Sequence, residues 1–197
     1  MVITGHTLVK REGSTIPNYV KNVLTFKKLK PKDDEFLLAT IAEENTPGDV
    51  LSDELKVKTE DYTIDFDKII PEPRVKSECP KDCIVNKDSH IEADVERPWF
   101  DWYTWHNKYW DTKWNACDGY VINNKTSMTF VFSTAWSTPI PIFKKLVKLG
   151  FDIEIRYADE DYGENCGKLE YEQEDGRWKE YKYKYPNIFA KDLWERY

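Results

Sequence analysis

PIPIFKKLVKLGFDIEIRY, from Pro139 to Tyr157, decides the fold class. Pro139 and Pro141 suit the first turn of a helix, where an amide N–H has no intrahelical partner to lose. Ile142, Phe143, Leu146, Val147 and Leu149 then recur at helical steps and make one apolar face. Gly150 stands where helices commonly end in the left-handed conformation. Phe151, Ile153, Ile155 and Tyr157 alternate directly after it, the two-residue period of a half-buried strand. A helix running straight into such a strand is one half of an α+β unit.

The other half lies upstream. Val20, Asn22, Leu24 and Phe26 alternate after Pro17, and Asp33 and Asp34 precede Phe36, Leu37, Ile41 and Ala42 at helical spacing, with acids where the helix dipole favours them. Pro98 opens a second periodic stretch in which Trp99, Trp102, Tyr103, His106, Tyr109 and Trp110 recur at three- and four-residue steps. Trp114, Ala116, Asp118, Tyr120 and Ile122 then alternate, Asn123-Asn124 offers a turn, and Met128, Phe130 and Phe132 alternate again as a hairpin. Strand, helix, insertion, strand, strand, helix, strand is the split βαβ order of ferredoxin-like domains. Right-handed crossovers pack that order as one antiparallel sheet with helices on one face.

The expected organisation is therefore an α+β ferredoxin-like single domain over residues 1–197, with an N-terminal extension over 1–16, an insertion over 46–97 and a C-terminal extension over 165–197. In the insertion, Ile64, Phe66, Ile69 and Ile70 anchor a loop on the core, and Pro71 and Pro73 oppose regular structure beyond it. Residues 74–96 read as the most variable or mobile part. The C-terminal extension reads as a hairpin, Lys168 to Tyr171 and Arg177 to Tyr185 around Glu174-Asp175-Gly176, then a short helix with Phe189, Leu193 and Trp194.

The net charge of −7 argues against a protein that coats nucleic acid, which needs a basic face. Four cysteines are too few for a disulfide scaffold and read as reduced thiols. No apolar run approaches the roughly 18 residues of a membrane span, and MVITGHTLVKREG lacks the apolar core of a signal peptide, so the chain is expected in the cytoplasm where it is made. Aromatic residues make up 15% of the chain, including eight Trp, a surplus that serves either a core or a recognition surface.

Four motifs in order, PNYVKNVLTF from Pro17, DFDKIIPEP from Asp65, WHNKYWDTKWNA from Trp105 and FSTAWSTPIP from Phe132, resemble the YubB-like family of phage and plasmid proteins. Tyr19 and Val20 stand where the family usually has Trp and Cys, and His106 and Asp111 where it has Cys and Gly. The resemblance implies a ferredoxin-like fold and an accessory protein of a mobile element, with no established catalytic chemistry. The fold name implies no iron–sulfur cluster, and the cysteines lack cluster spacing.

The candidate ligand- or partner-binding residues are Trp105, Trp110, Lys113, Trp114 and Asn115, where helix passes into strand, with Trp136 and Ser137 at the next strand-to-helix turn, and Arg156. Aromatic walls with a Lys and an amide make a small-ligand or peptide pocket. The alternative is that the rings pack the helix on the sheet while Asn and Thr brace the junction. Ser137 and Thr138 either receive an anion or cap a helix.

Cys79, Cys83 and His90 form an incomplete zinc set, outweighed by a polar loop with two free thiols. The run Asp159, Glu160, Asp161 and Glu164 is a cation or acid–base candidate against a plain solvated loop. Tyr181, Tyr183 and Tyr185 alternating with Lys182 and Lys184 would give a strand one aromatic face, suited to stacking single-stranded bases. No nucleophile elbow, phosphate loop or metalloprotease motif is present, so no catalytic residue, metal or cofactor is expected. The function that fits is a non-enzymatic binding protein engaging a host protein, such as a defence component, or a small nucleotide. Single-stranded nucleic-acid binding and an enzyme acting on a nucleotide are the alternatives, and self-association stays open.

Overall fold

A computed structural model of the chain describes residues 18–44, 59–60, 62–85, 96–162 and 165–197. His6, His90 and Glu164 lie outside them. Strand β1 (Tyr19–Lys27) leads to helix α1 (Asp33–Ile41), whose first turn carries Asp33, Asp34 and Glu35. A short ribbon pairs β2 (Ala42–Glu44) with β4 (Tyr62–Ile64), while β3 (Thr59–Glu60) joins the main sheet. Then come α2 (Phe66–Ile69), α3 (Trp102–Tyr109), β5 (Cys117–Asn124), β6 (Ser127–Ala135), α4 (Ile140–Leu146), β7 (Asp152–Asp159), β8 (Cys166–Glu172), β9 (Arg177–Tyr181) and α5 (Pro186–Arg196).

The main sheet runs β3-β5-β6-β1-β7-β8-β9 with antiparallel pairing throughout. Its four inner strands, β5-β6-β1-β7, have the ferredoxin-like order, and α1 and α4 are the two crossover helices. Leu24, Phe26, Phe130, Phe132, Ile153 and Ile155 meet Leu37, Ile41, Ile142, Phe143 and Leu146 from those helices in one core. The fold is α+β and ferredoxin-like.

Helix α5 lies on the opposite face, where Ala190 and Leu193 pack on Val23, Val131 and Ala158. The Trp194 indole N–H donates to the carbonyl oxygens of Ala158 and Asp159, 3.1 Å from each. Covered on both sides, β1 is buried without interruption from Val20 to Leu24.

Several element bounds differ from those expected. The aromatic helix begins at Trp102 instead of Pro98, because Asp101 is its cap: the carboxylate accepts from Thr104 N at 3.0 Å and from Thr104 Oγ1 at 2.9 Å. The hairpin turns at Lys125-Thr126 instead of Asn123-Asn124, since Asn124 still pairs with Ser127. The last turn of the Pro139 helix tightens to a 3₁₀ turn, Val147–Leu149, before Gly150 at φ 89°, which swings Leu149 into solvent. The anchor at Ile64 to Ile70 is regular, built from β4 and α2, with the Asp65 carboxylate capping α2 by accepting from Asp67 N at 3.0 Å.

In the described part of the stretch expected to be mobile, residues 74–78, 81 and 82 are exposed and two cysteines are buried. Two 3₁₀ turns bury Cys79 and Cys83 against α3, and Asp101 N donates to the Cys83 carbonyl at 2.9 Å. Gly119 is required by a close approach. A Cβ there would lie 2.0 Å from Thr63 Oγ1 on β4.

Candidate functional site

The Trp-rich stretch divides into a buried half and an exposed half. Trp105 and Trp110 are in the core, Trp110 meeting Phe66 edge to face at 5.8 Å and donating from its indole N–H to the Ile70 carbonyl at 2.9 Å. Asn115 is a joint. Its Oδ1 accepts from Phe66 N and Ala116 N, each at 2.9 Å, and its Nδ2 donates to Asp65 Oδ1 at 2.8 Å. Thr112 staples the same segment to β6, donating to the Ala135 carbonyl at 2.9 Å and accepting from Ala135 N at 3.1 Å. Trp105, Trp110 and Asn115 therefore hold helix to sheet.

Lys113, Trp114 and Trp136 are half-exposed and face one another. The Lys113 ammonium sits 4.9 Å from the Trp114 ring and 5.4 Å from the Trp136 ring, within cation–π range of both. Tyr19 approaches Trp114 at 6.5 Å and Tyr103 meets Trp136 edge to face at 6.1 Å. The result is an aromatic shelf at one end of the sheet with a lysine between its two indoles.

The backbone under this shelf is strained. Trp136 has φ 67°, and Asp111, Asp118, Tyr162 and Asn165 around it also have positive φ. For a bulky side chain that conformation is an outlier and persists only when its surroundings enforce it. Here Trp136 N donates to the Asn18 carbonyl at 2.8 Å, and Asn165 Nδ2 donates to the Trp136 carbonyl at 3.0 Å. The Ser137 hydroxyl donates to the Asp111 carbonyl. Neither Ser137 nor Thr138 caps α4, whose cap position is Pro139; Ser137 braces the shelf, and Thr138 Oγ1 is buried with no hydrogen-bond partner.

The rim is acidic. Asp111, Asp118, Glu160 and Asp161 are exposed. Glu160 Oε1 accepts from Tyr19 N at 2.9 Å, and the Asp161 carboxylate accepts from Asn18 Nδ2. Asp159 is buried and accepts from Asp161 N at 2.9 Å, so the acidic run closes the start of β1 instead of floating in solvent. Burial, and then the charges of Cys117, Asp118 and Glu160, raise the Tyr19 phenol above its ordinary value. Burial chiefly pushes the Cys117 thiol up to about 12, leaving it unreactive. Burial also raises the Asp111 carboxyl, with Lys144 pulling the other way.

Behind the shelf stands a polar triad in which buried His106 of α3 meets the partly buried Glu72 and Arg97 of the segments before that helix. His106, stacked on Trp110 at 4.0 Å, has Nδ1 2.8 Å from the Lys113 carbonyl and Nε2 2.5 Å from Glu72 Oε1. Both neighbours are acceptors. Arg97 Nη2 donates to Glu72 Oε2 at 2.6 Å. Burial raises the Glu72 carboxyl, but the hydrogen bonds from His106 and Arg97 outweigh it and leave it below the usual carboxylate range.

The remaining candidates lie elsewhere. Arg156 is on the α5 face, donating to the Tyr197 hydroxyl at 2.8 Å among Lys27, Glu154, Lys168 and Glu170. Strand β9 ends at Tyr181, so Tyr183 and Tyr185 share no strand face with it, and Tyr183 stacks on Phe189 of α5 at 3.8 Å. The sheet face on which bases would stack is occupied in part by α5. Cys79 donates to the Cys83 carbonyl at 3.3 Å, and among the described residues no three His, Cys, Asp or Glu side chains gather as a metal site.

Tyr19, Tyr103 and the His106–Glu72–Arg97 triad were not anticipated. Tyr19 was within reach of the topology, because pairing β1 with β6 sets Tyr19 opposite Ala135, next to Trp136. Tyr103 and the triad depend on tertiary approach and leave no signal in spacing.

Residues 109–186 match the family model described as a ferredoxin-like domain in Api92-like protein. The match runs from the end of α3 through the shelf and the β8–β9 hairpin to the first residue of α5. No curated protein and no solved structure matches the chain. Among the described residues no helix is long and apolar enough to cross a membrane.

Proposed function

We propose that the chain is a non-enzymatic binding protein of a phage or related mobile element, of the YubB-like kind, which engages a host protein in the host cytoplasm through the Lys113–Trp114–Trp136 shelf. One observation carries the reading: two half-exposed indoles, that of Trp136 on left-handed backbone, bridged by a lysine and rimmed by carboxylates. Rings of this kind cover area at little rotamer cost. Carboxylates around them favour a partner surface bearing Arg or Lys and disfavour the phosphates of a nucleotide or nucleic acid. A basic, nucleic-acid-binding component of host defence has that chemistry, and blocking it is the counter-defence role in view.

The test is capture from host lysate with wild-type chain and with Trp114→Ala/Trp136→Ala in parallel. The expected result is one basic protein retained by the wild type, lost with the double variant and released as salt rises. Retention by both chains, or capture of nothing, rejects the reading. Denaturing the purified chain and analysing what it releases distinguishes the small-nucleotide alternative: unchanged nucleotide means sequestration, and altered nucleotide means turnover.

A further inference from the structure

We infer that a second site, separate from the shelf, binds an aromatic anion in a cleft between α4 and the β8–β9 hairpin. The cleft encloses about 330 Å³ and is lined by Ile140, Phe143 and Lys144 on one side and by Tyr157, Leu169 and Trp178, with Glu180, on the other. Its origin is architectural. Strands β8 and β9 continue the sheet beyond the four-stranded core that α1 and α4 serve, so the apolar residues they add on the helix side are covered only in part. In register, Leu169 pairs with Ile155 and with Glu180, while Tyr171 pairs with Trp178, which sets these side chains on the face that α4 borders.

The walls are held in place. Tyr171 packs on Trp178 at 5.2 Å, and Gly167 lets Tyr157 tuck under β8, since a Cβ there would lie 2.9 Å from the Tyr157 hydroxyl. The polar groups have no close partner. Among the described residues the Tyr157 hydroxyl and the Trp178 indole N–H have no hydrogen-bond partner, Glu180 forms no ion pair, and Lys144 has no carboxylate within 4 Å, although its charge is felt at Asp111. Ring-lined walls with few convergent polar groups are the usual make-up of a small-molecule site, and the volume is at the low end of the range, enough for roughly two or three rings. Three donors, from Lys144, Tyr157 and Trp178, face a single carboxylate, so a ligand rich in acceptors with an anionic head and one N–H complements the lining. The site shares no residue with the shelf, so either reading stands if the other fails.

The probe is anilinonaphthalene sulfonate, a linked-ring anion with one N–H, titrated into the folded full chain by fluorescence. Saturable binding is expected, with a shift of the Trp178 indole resonance in a ¹⁵N-labelled sample. Lys144→Glu should weaken it about tenfold and Glu180→Lys strengthen it by a similar factor, the worth of one partly exposed charge contact. Both residues are exposed and neither has an ion-pair partner within 4 Å, so folding is retained. Ile140→Trp, filling the cleft mouth, should abolish binding, whereas Trp136→Ala should leave it unchanged. Binding that does not saturate, ignores both charge variants or leaves the Trp178 resonance in place overturns the proposal.

Discussion

Replacing Asn115 by aspartate exchanges Nδ2 for an oxygen at almost no change in volume, and should add a pH-dependent loss of stability at this joint. In the native chain Asn115 Nδ2 donates to Asp65 Oδ1 at 2.8 Å, in a setting where Asp65 is buried. With Asn115→Asp, two carboxylates meet at that separation. If both were ionised, their repulsion at an effective dielectric near 20 would be about 6 kcal/mol. Keeping one proton between them costs less: from an ordinary aspartate value near 3.9 up to pH 7 is about three units, or about 4 kcal/mol. The shared proton raises a folded-state pKa above its unfolded value. The variant is therefore close to wild type below about pH 4, where both states hold the proton, and loses about 1.4 kcal/mol per pH unit above that.

The penalty should be about 1 kcal/mol at about pH 4.5 and about 4 kcal/mol at neutral pH, equivalent to a melting-temperature loss of about 8–16 °C for a chain of this size. The assay is paired thermal or urea denaturation at the two pH values, reading variant minus wild type at each so that other titrations cancel. Asn115→Ala serves as control: it removes three hydrogen bonds at once, costing about 2–4 kcal/mol at either pH. Equal losses for Asn115→Asp at both pH values would refute the assigned contact with Asp65, and with it the placement of Asn115 as a joint instead of a ligand group.

Gly119→Ala should destabilise by about 1–3 kcal/mol through overpacking against Thr63, with Thr63→Gly in the same chain recovering most of the loss by urea denaturation. Glu72 has a lowered folded-state pKa, so its contribution is present above the ordinary glutamate value and fades as pH falls through the folded one; acid melting of wild type and Glu72→Gln should diverge at neutral pH and converge in acid. Lys21 is buried over the Trp194 ring at 4.8 Å, and burial outweighs Asp118 and Cys117 in lowering its ammonium pKa; Lys21→Met should be neutral or stabilising by up to about 1 kcal/mol in chemical denaturation. Trp136→Asn should alter stability by less than about 1 kcal/mol, because asparagine tolerates the left-handed backbone while the lost ring was only half-buried; binding of a basic partner should nonetheless disappear in a pull-down.

Periodicity carried the architecture. Alternation in β1, β6 and β7 and the helical spacing after Pro139 are local properties of the chain, and the order of those segments leaves few ways to pack them, so the ferredoxin-like sheet follows from residues 19–157 read in sequence. The same reasoning marked the stretch from Trp105 to Trp136 but gave all its aromatics one standing. Which rings are core and which are shelf depends on neighbours far along the chain: Trp110 is buried because Phe66 and Ile70 of the insertion reach it, whereas Trp114 and Trp136 meet Lys113 and two tyrosines and stay half-exposed.

The left-handed backbone at Trp136 is illegible for a stronger reason. Residue preference opposes it, and hydrogen bonds to the Asn18 carbonyl and from Asn165 Nδ2 hold it. Likewise nothing in the spacing of Tyr181, Tyr183 and Tyr185 reports that α5 folds back over the second face of the sheet and takes Tyr183 with it. Local pattern, set by side-chain period and turn chemistry, determined the elements and their order. Burial, strain and the uncovered cleft beside α4 were decided by tertiary approach, because they are properties of pairs of segments and not of any one of them.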